Sequence, residues 1–314
     1  MEYERVLSHI GRVDESLNIR YLYALSGMNR EQLARFQVVW PLIETGRRRQ
    51  VIGSLVELAE SSFEVNFDPI FLLAMGDEDS QVRADAIDGL WENEDQALIG
   101  PLVHLVRVDD SSGVRAAAAM ALGRFVLLGE LEKIDRAPAM LAEQALLETL
   151  RQADERLEVR RRAVESIAFS GTVGVREIIE SAYYDQDEKM QASALFAMGR
   201  SADPYWFKLL VKELDNPNPE LRFEAARACG ELEAAPAVSR LAEMALDDPD
   251  REVREGAVWA LGRIGGKQAR EALEACYESE DEVLSQAAAE ALDEMDLLGE
   301  VSDIPLYEDF DDYE

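Results

Sequence analysis

Seven times along this 314-residue chain the same short pattern returns. An acidic turn is followed by an apolar residue, usually an Arg directly after it, an Ala four positions on and a further apolar residue eight positions on. The opening apolar residues are Val82, Val114, Val159, Met190, Leu221, Val253 and Leu284, separated by 32, 45, 31, 31, 32 and 31 residues. A fixed period of this length means a stack of similar units rather than one compact core. Offsets 0, 4 and 8 fall on one face of a helix with 3.6 residues per turn. The Ala at offset 4 (Ala86, Ala118, Ala163, Ala194, Ala225, Ala257, Ala288) lets a neighbouring helix approach closely. Turns such as Asp79-Ser80, Asp109-Asp110-Ser111-Ser112, Asp215-Asn216-Pro217-Asn218-Pro219 and Asp247-Asp248-Pro249-Asp250 end one helix and cap the next. A second amphipathic stretch, for example Trp206 to Leu214, lies between successive copies. Each unit is therefore two antiparallel helices. Neither buries its apolar face alone, and stacking of units completes the core.

The residues Asp-x-x-Val-Arg-x-x-Ala, with the trailing Ala121-Leu122-Gly123 and Ala260-Leu261-Gly262, resemble the short HEAT-like repeats of bacterial proteins, including those named after phycobilisome lyases. The resemblance covers roughly residues 46–296. It implies an all-α, right-handed α-solenoid of about seven to eight helical hairpins, with an armadillo-type fold. It says little of function, because such a repeat is a scaffold. The signatures of ankyrin and tetratricopeptide repeats, which have similar periods, are missing.

Three regions depart from the period. The 45-residue step exceeds the common 31 by 14 residues, around Gly129 to Pro138, and predicts a long connection or a short extra helix. Residues 1–45 read as helical and rich in aromatics but do not match the repeat. They are expected to form an N-terminal helical cap, with a dimerisation surface as the alternative. Residues 46–75 are expected to form a degenerate first repeat, so the solenoid is placed at 46–296. After Arg270 there is no Lys or Arg, while 17 acids follow; seven of them lie in 297–314, the acidic tail. Such a tail can be purely solubilising. Its spaced Tyr307, Phe310 and Tyr313 also suit a docking peptide for a basic, apolar groove.

Charge narrows the function classes. Sixty-four acids against 32 bases give −32, which repels phosphate backbones and anionic membranes. Direct binding to nucleic acid, including a role like that of HEAT-like DNA glycosylases, is weighed against, and so is a membrane role. The surplus keeps the chain dispersed or attracts a basic partner. No run approaching 18 apolar residues and no secretory leader is visible, and two cysteines make no disulfide framework; a cytoplasmic location is expected.

Catalytic chemistry is hard to find in the residues. His9 and His104 are the two histidines, and neither forms a His-Glu pair of the kind by which HEAT-repeat deoxyhypusine hydroxylases hold iron. There is no Gly-rich phosphate loop, Ser/His/Asp set or Cys-x-x-Cys, and no twelve-residue calcium loop. No metal, no cofactor and no enzyme activity are expected. Cys229 and Cys276 read as small buried hydrophobes. The repeated Arg83, Arg115, Arg160, Arg222 and Arg254 are expected to pair with acids of neighbouring turns and fix the register between units.

Offsets 2 and 6 lie on a face of the second helix distinct from 0/4/8. In HEAT-like arrays that face lines the concave side. Phe196, Arg227 and Trp259 occupy offset 6 of three consecutive copies, Phe223 offset 2, and Met120 offset 6 of an earlier one. Arg124, Arg200 and Arg263 stand at offset 10. Aromatic and Arg residues at exposed positions are the material of interface hot spots; alternatively, a small helix rotation buries these rings between units. The preferred reading is a scaffold or adaptor that binds a peptide or protein segment, basic or apolar-basic in character, at Met120, Phe196, Arg200, Phe223, Arg227, Trp259 and Arg263. Its acidic tail is a possible regulator, and the oligomeric state is left open. The alternative, by analogy with HEAT-like phycobilin lyases, is a chromophore or cofactor handler, for which Arg162, Glu165 and Arg200 are nominated.

Overall fold

The computed structural model describes residues 3–302, with side chains as far as residue 297, and divides into two compact units, 1–170 and 171–314. The first unit holds α1 (Tyr3–Ile10), α2 (Ile19–Tyr23), α3 (Arg30–Val39), α4 (Thr45–Ser61), α5 (Asp68–Ala74), α6 (Ser80–Asp88), α7 (Ile99–Val108), α8 (Ser112–Glu130), α9 (Arg136–Arg151) and α10 (Leu157–Ile167). The second holds α11 (Val175–Tyr183), α12 (Glu188–Arg200), α13 (Phe207–Glu213), α14 (Pro219–Glu231), α15 (Val238–Asp247), α16 (Arg251–Ile264), α17 (Gly266–Tyr277) and α18 (Glu282–Ser302). Among the described residues there is no strand. The fold is an α-solenoid.

The repeat pattern falls on the second helix of each hairpin. In the first unit α4, α6, α8 and α10 pack on one another in sequence; in the second, α12, α14, α16 and α18 do the same. We call these the inner helices. Their offset 0, 4 and 8 residues are buried, as in Val114, Ala118 and Leu122 of α8 and Val253, Ala257 and Leu261 of α16. Capping follows the turn chemistry: Asp79 accepts from the Val82 N–H, Asp187 from Lys189, Asn218 from Glu220, and Asp250 from Glu252 and Val253.

Glycine at offset 9 sets the spacing between inner helices. A Cβ on Gly230 would stand 2.9 Å from Ala260 Cα, and one on Gly199 2.9 Å from Ala228 Cα. Both are backbone approaches that no side-chain rotation relieves.

The 14 residues of the long step do not make the expected loop or extra helix. They lengthen two helices that the repeat already has. α8 has 19 residues and α9 has 16, joined by Leu131 to Asp135. The apolar run Phe125, Val126 and Leu128 is buried and extends α8 by a turn against α9. By length and composition alone α8 could cross a membrane, contrary to the expectation that no run approaches 18 apolar residues. Its apolar positions serve the core instead, and it packs against α6, α7, α9 and α10.

Near the N-terminus, α4 and α5 fall in the stretch read as a degenerate first repeat, but they are not partners in one hairpin. α4 takes an inner place against α6, while α5 packs on α6 as its outer helix. α18 runs to Ser302, so the first residues of the stretch read as tail are helical. Tyr307, Phe310 and Tyr313 lie outside the described residues.

Candidate binding surface

A ladder of ion pairs holds the inner helices in register. Arg83, Arg115, Arg222 and Arg254, each just after an opening apolar residue, reach the turn of the next repeat. Arg83 grips Asp109 through Nε (2.8 Å) and an Nη (2.7 Å); Arg222 grips Asp248 at the same two distances. Arg115 grips Glu155 at 2.9 and 2.7 Å, and Arg254 reaches Asp281 at 3.4 Å. The remaining Nη donates to carbonyls of the Arg's own turn, as Arg222 does to Asn216 (2.9 Å) and Pro217 (3.2 Å). Such bidentate geometry suits the planar guanidinium. The ladder begins one helix earlier than the sequence pattern suggested: Arg48 of α4 contacts Asp77 at 3.1 Å, both nearly buried. Burial alone would raise the pKa of Asp109, Glu155 and Asp248, but hydrogen bonds from the Arg and from backbone N–H groups leave all three lowered. At one repeat both ladder positions hold neutral residues. Gln191 stands at the Arg position and Asn216 at the Asp position, five residues before Leu221. Gln191 keeps the bond to its own turn, donating to the Asp185 carbonyl at 2.7 Å.

Beside this ladder the second unit carries the face singled out by offsets 2 and 6. Phe196 comes from α12, Phe223 and Arg227 from α14 and Trp259 from α16. The Arg227 guanidinium carbon lies 5.8 Å from the Phe196 ring centre and 5.9 Å from those of Phe223 and Trp259. One cation thus meets three π faces. All four residues are half-buried. Among the described residues no carboxylate lies in ion-pair range of Arg227. Arg200 also lies over Phe196, at 5.1 Å, and reaches Glu231 at 3.8 Å. Arg263 is exposed. The aromatic rings are therefore neither fully exposed nor fully buried between units. Trp259 closes over Gly230, where a Cβ would stand 2.7 Å from its Cζ3, and Phe223 closes over Gly256 at 2.9 Å; the outer parts of the rings stay accessible.

Met120 belongs to a different place. In the first unit it lines a cavity of about 620 Å³ between α4, α6 and α8, with Arg162 of α10 at its border. Its floor is made of small residues, including Ala84, Ala116 and Ala117, which stand on the inner face where other copies carry large side chains. Trp91 and Met120 form exposed apolar walls. Glu60, Asp85 and Asp88 supply carboxylates and Arg124 a guanidinium. Asp88 still meets solvent, but crowding by its neighbours and the charges of Asp85 and Glu60 push its pKa up to about 6 against the pull of Arg162. Asp85 is raised by burial too, although Gln81 donates to it. Sequence reasoning missed this site. A signal was present: Trp91 occupies offset 9, where Gly123, Gly199, Gly230 and Gly262 stand in other copies.

His9 stacks on Tyr21 at 4.1 Å and its Nε2 accepts from the Asn18 N–H. Cys229 and Cys276 are buried free thiols whose pKa values burial pushes up to about 12 and about 11. Arg162 and Glu165 pair with each other at 2.6 Å. Arg200, nominated with them, belongs to the second unit.

Among solved structures, the CpcE–CpcF complex of phycocyanin lyase from Nostoc sp. PCC7120 is similar, with TM-score 0.54 and 17% identity, covering 91% of this chain and 97% of that one. Importin beta gives TM-score 0.48 at 14% identity, covering 93% of this chain and 41% of that one. YibA of E. coli gives 0.44 at 17%, covering 94% and 95%. At these identities the likeness concerns the fold. No curated protein matches the chain in sequence. The family described as HEAT repeats matches residues 68–168, 175–256 and 207–293. With inner helices that carry the period, glycines that set their spacing and an Arg ladder that ties each turn to the next, the chain belongs to the HEAT-repeat family.

Proposed function

We propose that this protein is a non-enzymatic interaction scaffold that grips a peptide or protein segment on the inner face of its second unit. The observation that carries the reading is Arg227, half-buried among Phe196, Phe223 and Trp259 with no acid in ion-pair range among the described residues. A cluster of Arg and aromatic groups, rigid yet partly accessible, is what binding hot spots are made of. Backbone carbonyls and apolar or aromatic side chains of a bound segment would find donors and ring faces there. HEAT repeats suit this role because stacking leaves one continuous surface for a chain to lie along. The test is affinity capture with purified full-length protein, followed by cross-linking and mass spectrometry. Phe196→Ala and Trp259→Ala should each cut capture of the cross-linked partner at least tenfold without loss of helicity; unchanged capture refutes the reading.

The acidic tail fits as a competitor for that face. Inner helices run parallel, so α18 ends on the same edge as Arg200 and Arg263. The 12 residues after Ser302 reach about 40 Å when extended and carry Tyr307, Phe310 and Tyr313 among acids. Deleting 303–314, which spares α18, should then raise partner affinity. A second reading, chromophore or cofactor handling, draws on the cavity beside Met120 and Arg162. Incubation with bilins should shift their absorbance under that reading and leave it unchanged under the first.

A further inference from the structure

We propose that the cavity between α4, α6 and α8 of the first unit is a second binding site, which seats a lysine or arginine side chain of a peptide. The argument turns on which charges in the cavity are already satisfied. Both cations are committed: Arg162 pairs with Glu165 at 2.6 Å, and Arg124 donates to the Trp91 carbonyl. Asp85 accepts from Gln81 at 2.7 Å. Glu60 of α4 and Asp88 of α6 are different. Among the described residues neither side chain has a hydrogen bond or an ion pair, yet they line one cavity, where the charge of Glu60 raises the cost of ionising Asp88. Both are solvent-exposed, and their negative charge at the cavity favours a cation.

The walls specify what carries it. Trp91 and Met120 are about half exposed, at 46% and 55%, and both line the cavity. An indole face favours a cation over it, and a thioether packs adaptably on methylenes. The alanine floor leaves about 620 Å³, enough for one long side chain with its backbone. A basic side chain meets all three conditions, because its stem is apolar and its head is charged. A bare metal ion would leave Trp91 and Met120 unused, and an acidic ligand would meet two unpaired carboxylates. The site is independent of the Arg227 face, so it stands or falls separately from the function proposed for that face.

Protonation adds a check. Asp88 faces Asp85 of its own helix, Glu60 of α4, Arg124 of α8 and Arg162 of α10. With its pKa raised to about 6, it is charged at pH 7.5 and largely neutral at pH 5. A bound cation holds it ionised, so affinity falls as pH drops through that range.

The experiment titrates full-length protein with acetyl-Ala-Arg-Ala-amide and acetyl-Ala-Lys-Ala-amide, using the norleucine peptide as neutral control, and follows amide and indole NMR shifts. Basic peptides should bind and shift the Trp91 indole, while the norleucine peptide should not. Glu60→Gln with Asp88→Asn should weaken binding at least tenfold. Asp110→Asn with Glu143→Gln, outside the cavity, removes the same charge and should change affinity less than twofold. Lowering pH from 7.5 to 5 should weaken the wild-type complex at least threefold. Equal loss in both double variants would mean diffuse attraction to the −32 surface and overturn the proposal. Binding of the norleucine peptide, or no binding of either basic peptide, would overturn it as well.

Discussion

The neutral residues Gln191 and Asn216, which stand at ladder positions, predict how the charged rungs respond to neutralisation. Consider Arg222 and Asp248, whose side chains are 11% and 4% exposed. Removing one partner of a buried ion pair leaves an uncompensated charge and costs about 3–5 kcal/mol. Arg222→Gln leaves Asp248 with the Asp250 N–H at 2.9 Å, which places the loss near the lower end, about 3 kcal/mol. Asp248→Asn strands the guanidinium in the same way, though the Asn216 and Pro217 carbonyls still hold it, so about 2 kcal/mol is expected. The double variant places Gln and Asn at the positions that Gln191 and Asn216 hold one repeat earlier, so no charge is left unpaired. It should cost about 1 kcal/mol, below either single change. Thermal and urea unfolding followed by circular dichroism, arranged as a double-mutant cycle, reads this directly. At about 2–4 °C per kcal/mol for a unit of this size, Arg222→Gln should lower the midpoint by about 6–12 °C. A double variant as damaged as the sum of the singles would refute the idea that the rung is one unit. A single variant within about 0.5 kcal/mol of wild type would refute its structural role altogether.

Three further outcomes follow from the same geometry. Gly230→Ala puts a Cβ within 2.9 Å of Ala260 Cα; forcing α14 and α16 apart should destabilise by about 1–3 kcal/mol, measured by urea unfolding. Stability should respond to pH with opposite signs at two places. Asp79, held down to about 2 chiefly by Arg49, together with the lowered Asp109, Glu155 and Asp248, contributes stability above the unfolded carboxylate range, and this is lost as pH falls toward 2. Asp88, raised to about 6, works the other way: Asp88→Asn should stabilise at pH 7.5, with the gain shrinking toward pH 4, as pH-resolved melting will show. Finally, Cys229 and Cys276, buried with raised pKa values, should resist a thiol reagent in the native protein and react fast in denaturant.

The sequence by itself determined the period, the hairpin and most of the ladder. In a stack, spatial neighbours are one repeat apart in the chain. Equivalent positions therefore name each other's partners, and the 26-residue separation of Arg222 from Asp248 is a repeat less the offset between them. The same logic brought Phe196, Phe223, Arg227 and Trp259 onto one face. Tertiary packing decided what periodicity cannot encode. Extra residues became longer α8 and α9 because Phe125, Val126 and Leu128 found a core to enter. α6 stops at Asp88, with Gly89 under the Phe71 ring, where a Cβ would stand 2.5 Å away; that early stop puts Trp91 in the following turn, at the cavity wall. How much of each aromatic ring stays exposed depends on packing: Trp259 lies over Gly230 and Phe223 over Gly256 on neighbouring helices. The meeting of Glu60 and Asp88, carboxylates from different helices at unlike places in the pattern, is a property of the folded stack alone.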